Sequence, residues 1–107
     1  MACFYLQSRV QGKACEDNYY RAIYLLQRNL TEFVSAAATK SGVEPQKVVR
    51  TVRVNQKGIQ ILMDDDAIRE LSEGQDMKAE FATVDMPQSQ WQSRSAPSSG
   101  YELRLVY

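Results

Sequence analysis

One stretch of this chain carries the marks of a long helix, and β-type segments flank it on both sides. Asn29 supplies an N-cap, and Glu32 follows three residues later as the reciprocal half of a capping box. Leu30, Phe33, Val34, Ala37 and Ser41 recur at helical spacing, so one stripe of the helix must face a core. Gly42 can adopt the left-handed conformation that closes a helix, and Pro45 bars its continuation. A lone amphipathic helix has to bury its stripe against another layer, and sheet is what the rest of the chain offers.

Cys3 to Leu6 is short, aromatic and strand-like, and a polar, turn-rich stretch from Ser8 to Asn18 follows it. Tyr19 to Leu25 resumes β-type composition, with Tyr19, Arg21, Ile23 and Leu25 on one face and Tyr20, Ala22 and Tyr24 on the other. The two segments read as a hairpin with a long loop. Beyond the helix, Val48–Val54 is β-branched, Asn55-Gln56-Lys57-Gly58 is a turn, and Ile59, Ile61 and Met63 alternate with Gln60 and Leu62. Asp64-Asp65-Asp66 opens a short helix through Leu71, where acids cap free N–H groups and oppose the positive end of the dipole. Gly74 ends it, and Met77–Val84 makes a strand with Met77, Ala79 and Phe81 on one face. Residues 85–100 are rich in Ser, Gln and Pro and read as a flexible loop, with Trp91 its only aromatic residue. Tyr101, Leu103, Leu105 and Tyr107 form a last strand.

The order is hairpin, helix, hairpin, short helix and two closing strands. It predicts an α+β fold, a ubiquitin-like β-grasp whose mixed sheet is crossed by one amphipathic helix, with the first strand beside the last long strand. A ferredoxin-like sandwich needs a second long helix, for which 66–71 is too short. The chain of 107 residues is expected to be a single domain over 1–107.

Composition excludes several functions. The 13 basic and 13 acidic side chains cancel, whereas a domain that neutralises phosphates carries a basic excess. Histidine is absent, which removes the Ser-His-Asp, Cys-His and His-metal schemes together. Cys3 and Cys15 are too few for a disulfide scaffold and read as reduced thiols of an intracellular protein, with a Cys3–Cys15 bridge as the alternative. The apolar runs Met1–Leu6 and Ala22–Leu26 are far short of the roughly 20 residues a membrane span needs. No cleavable leader is expected, since the N-terminus lacks a basic region. Neither catalysis nor a cofactor is expected.

The motifs that could carry chemistry each have a plainer reading. Asp64-Asp65-Asp66 could hold a divalent cation, but successive side chains diverge and no calcium-loop spacing follows, so a helix cap is favoured and no metal is expected. Six tyrosines exceed what a core needs, and some must reach the surface, where tyrosine suits contact interfaces. Trp91 is either a partner anchor or tucked onto the sheet. Charge is also uneven. Lys40, Lys47, Arg50, Arg53 and Lys57 face one acid, Glu44, between Lys40 and Lys57. Asp64, Asp65, Asp66, Glu70, Glu73 and Asp76 face Arg69 alone. Oppositely charged patches can pair with a copy of the same chain.

Three blocks, Tyr20-Arg21-Ala22-Ile23-Tyr24-Leu25, Gly42-Val43-Glu44-Pro45-Gln46-Lys47-Val48 and the run from Lys57-Gly58-Ile59 through Asp64-Asp65-Asp66-Ala67-Ile68, occur in this order behind a first strand. In that arrangement the chain resembles the C-terminal dimerisation domain of Grainyhead-type transcription factors, a group that includes the late-promoter-factor branch. The 85–100 segment departs from the family pattern in being longer and more polar. The resemblance implies a nuclear, non-catalytic homodimerisation module of a sequence-specific regulator. Its partners would be a second copy and related family members, with DNA contacted only through a domain not in this chain. No membrane partner is expected. The dimer surface is expected to use Tyr20, Tyr24, Arg50, Arg53, Asp64 and Asp65. The alternative is a β-grasp adaptor of the Ras-association or Phox-and-Bem kind that pairs with a different protein.

Overall fold

Helix α1 (Leu30–Lys40) forms where the capping signals place it. The Asn29 side chain accepts the Glu32 amide at 2.7 Å. Glu32 does not return the bond to Asn29; its carboxylate accepts the Leu26 and Gln27 amides instead, at 3.3 and 2.6 Å, and so tethers the incoming chain. At the far end Gly42 sits at φ 77°, and the Val43 amide reaches back to the Ala38 carbonyl at 2.8 Å. Pro45 begins a single 3-10 turn, Pro45–Lys47, rather than more α-helix.

The computed structural model describes residues 1–14, 18–85 and 99–107. Six strands make one mixed sheet: β1 (Ala2–Val10), β2 (Arg21–Leu25), β3 (Val48–Val54), β4 (Gln60–Leu62), β5 (Asp76–Asp85) and β6 (Ser99–Val106). The short helix α2 (Asp65–Arg69) lies between β4 and β5 in the chain. The sheet order is β2-β1-β5-β6-β3-β4. β1 runs antiparallel to β2 and parallel to β5; β6 is antiparallel to β5 and parallel to β3; β3 and β4 form the second hairpin.

Three features differ from the sequence expectation. β1 continues to Val10, because Leu6 and Val10 point into the core opposite Met77 and Phe81 of β5 and extend the ladder through the polar stretch. The first strand does not lie beside the last one: β1 pairs with β5, and β6 enters between β5 and β3, where Leu103 and Leu105 are fully buried. The ends of the expected 85–100 loop are strand, since Asp85 closes β5 and Ser99 opens β6. The rest of that loop, Trp91 included, and Cys15 lie outside the described residues.

Alternation divides the sheet into two faces. Phe4, Leu6, Ile23, Leu25, Met77, Ala79, Phe81, Leu103 and Leu105 form one core with Phe33, Ala37 and Ala38 of α1 and Ile68 of α2. The Phe4 and Phe33 rings meet at 6.1 Å. The opposite face carries Gln7, Arg9, Lys78, Glu80, Arg104 and Val106 in register across three strands. Among the described residues no helix is long and apolar enough to cross a membrane.

Candidate assembly surface

The described residues hold no group of three or more acids, cysteines or histidines able to bind a metal. What the chain does present is exposed apolar side chains at both edges of its sheet.

At the β2 edge, Tyr24 is 61% exposed, and Tyr19, Tyr20 and Leu26 flank it, all exposed. At the β4 edge, Ile59, Ile61 and Leu62 are exposed by 53%, 41% and 68%. Leu62 stands opposite Val52 on the helix-free face, while Ile61 stands opposite Arg53 on the helix side. Apolar groups therefore flank this edge on both sides.

The backbone of β4 is equally unspent. Ile59 accepts the Asn55 amide at 3.0 Å and Met63 donates to the Thr51 carbonyl at 2.9 Å, so odd-numbered residues turn their polar groups inward to β3. By antiparallel alternation, Gln60 and Leu62 turn their N–H and C=O groups outward. Among the described residues, β3 is the only strand to which β4 is bonded. Natural edges are commonly blunted with charge, proline or a bulge, and Ile59–Met63 has none of these. Charge sits instead at the two ends. Lys57 lies in the turn before β4, and Asp64, Asp65 and Asp66 follow it.

The six residues expected at the dimer surface do not share one patch. Tyr20 and Tyr24 lie at the β2 edge, four strand spacings from β3, or roughly 19 Å. Arg50 and Arg53 point to opposite faces of β3. A bulge at Val49 places Arg50 opposite Glu102, whose carboxylate accepts its Nε at 3.0 Å. Arg53 lies 4.0 Å from the centroid of the Tyr107 ring and donates to the Tyr107 carbonyl at 2.9 Å. Asp64 caps α2 by accepting the Ala67 amide at 2.9 Å. Asp65 accepts the Leu30 amide at 2.8 Å and so caps α1. Asp66 pairs with Arg69, and Glu73 pairs with Arg28.

A charge ladder crosses the helix-free face. Glu102 is 6% exposed, covered by Arg50 on one side and by Arg104 on the other at 3.0 Å. Arg104 also reaches Glu80 at 3.4 Å. Burial pushes the Glu102 pKa up, but hydrogen bonds and charge from Arg50 and Arg104 outweigh it and hold the carboxyl below its ordinary value. The ladder, like the β4 edge, was missed in the sequence. Its members are up to 54 residues apart and acquire meaning only through strand register, whereas Ile59, Ile61 and Leu62 were visible as an uncharged run.

Comparison with known proteins gives a family. The model of the GRHL1-like, C-terminal domain matches residues 10–91, which is more than half of the chain. No curated protein and no solved structure matches. The match spans all three sequence blocks that carry the resemblance. The chain belongs to the GRHL1-like C-terminal domain family, a Grainyhead-type domain of transcription factors.

Proposed function

We propose that this chain is a non-catalytic homodimerisation domain, a single unit over 1–107, of a nuclear, sequence-specific DNA-binding regulator. The observation that carries the reading is the β4 edge, whose outward backbone groups have no partner strand among the described residues and whose Ile59, Ile61 and Leu62 are exposed. Two such domains would hold two DNA-binding domains together, and the second half-site contact would become intramolecular. A β-grasp architecture fits the hairpin–helix–hairpin order and the parallel β1–β5 pair, with β6 as an added strand.

Sedimentation over a concentration series tests the reading. A rise to twice the chain mass followed by a plateau is expected, and a monomer at tens of micromolar defeats it. The exposed tyrosines of the β2 edge support a second reading, an adaptor that adds a different protein there. In that case the chain alone stays monomeric, and tyrosine substitutions affect only the hetero-complex.

A further inference from the structure

We infer that two copies join by antiparallel pairing of β4 with β4 about a two-fold axis at Ile61, giving one continuous sheet through both protomers. This rests on the dimerisation reading and specifies its surface. The outward backbone groups belong to Gln60 and Leu62. A two-fold axis through Ile61 sets Gln60 of one protomer against Leu62 of the other, and Leu62 against Gln60. Each such pair exchanges both its N–H···O=C bonds, so every outward polar group of the strand is satisfied. The two Ile61 residues then form a non-hydrogen-bonded pair, the arrangement in which side chains come closest. On the opposite face, Leu62 with Val52 and the half-exposed Val106 meets its counterpart across the axis.

Charge selects this edge and this direction. Antiparallel pairing brings the beginning of one β4 to the end of the other. The turn residue Lys57 therefore falls beside Asp65 and the neighbouring Asp64 and Asp66 of the second copy. Among the described residues Lys57 has no acidic partner within its own chain. Asp65 uses one carboxylate oxygen on Leu30, which leaves the other for a cation. A closed two-fold contact of the β4 kind also stops at two copies.

The test uses the full chain with Cys3→Ser and Cys15→Ser, into which Ile61→Cys or Tyr24→Cys is introduced. Non-hydrogen-bonded partners lie about 4.5 Å apart at Cα, inside the range for a disulfide. Mild oxidation is expected to yield roughly tenfold more covalent dimer from Ile61→Cys than from Tyr24→Cys, because Tyr24 on the far β2 edge would lie beyond disulfide reach of its counterpart. Gln60→Pro removes an outward donor and leaves the β3 ladder intact, so it is expected to give monomers with an unchanged circular dichroism spectrum and a urea midpoint that no longer depends on chain concentration. A dimeric mass with no preferential cross-link at Ile61, or one that survives Gln60→Pro, overturns the β4 pairing and leaves dimerisation standing on another surface. A monomeric mass for the unsubstituted chain at every concentration overturns both.

Discussion

The carboxylate of Asp65, on the short second helix, accepts the backbone N–H of Leu30, the first residue of the long one, at 2.8 Å. An acid that looks like part of a solvated run thus closes the N-terminus of α1 from across the fold. It supplies negative charge where the helix dipole favours it and satisfies an amide that has no acceptor within the helix. Asp65→Ala is expected to lower unfolding stability by about 1 kcal/mol, the usual worth of a side-chain cap. Asp65→Asn keeps an acceptor and should lose less. Urea unfolding of the two variants checks the order.

Glu102 makes stability depend on acid. Its native pKa lies below the ordinary 4.5 because Arg50 and Arg104 favour the charged form. The stabilisation is therefore complete above the ordinary value and is lost as pH falls through the lowered native one. Glu102→Gln is expected to cost about 1–2 kcal/mol near neutrality, as both guanidinium groups remain partly hydrated. The difference from the unsubstituted chain should shrink steadily once the pH drops below 4.5. Denaturation midpoints measured across the acid range would show it, and a pH-independent difference would refute the assignment.

Arg53 and Tyr107 form a stacked pair whose signature is spectroscopic. Burial raises the Tyr107 pKa above 10.0, and the positive charge of Arg53 opposes that rise. Arg53→Met removes the opposing charge and should move the phenol titration higher still, read as the ultraviolet absorbance difference against Tyr107→Phe. Stability should change by less than about 1 kcal/mol, because the lost cation–π contact is offset by removing a poorly satisfied donor. Arg53 Nε is buried with no hydrogen-bond partner.

Core and edge aromatics should respond differently. Phe33 is fully buried against Phe4, and Phe33→Ala is expected to cost about 3–5 kcal/mol through lost burial and the cavity left behind. Tyr24 is largely exposed, so Tyr24→Ser should stay within about 0.5 kcal/mol of the unsubstituted chain. Thermal unfolding of the two variants separates a packing role from a surface one.

Local chemistry made much of the fold legible. The Asn29 and Gly42 ends of α1, the boundaries of β3 at Val48 and Val54, the Asp64 cap of α2 and the buried face of Met77, Ala79 and Phe81 all depend on residues within a few positions of one another. Periodicity and capping are short-range effects, so a linear reading reaches them. The reach of β1 to Val10 was hidden for the opposite reason, because its polar stretch is held as strand by the distant ladder with β5.

The candidate surface was only half legible. Ile59, Ile61 and Leu62 stand out as an uncharged apolar run, and nothing local distinguishes a buried strand with that pattern from an exposed one. Their exposure follows from β4 being the outermost strand, and that follows from β6 taking the place between β5 and β3.

The amino-acid sequence by itself determined the single long helix and which segments are strands, because each is written in side-chain period and cap chemistry, and the order of three sequence blocks carried the family. Tertiary structure alone decided strand order, the partnership of Arg50 with Glu102 and the unpaired edge at Gln60 and Leu62. The β1–β5 and β3–β6 pairings join residues more than fifty positions apart, and backbone hydrogen bonds are identical for almost every residue. The choice among partners is therefore made by the packing of the whole core rather than by any local signal.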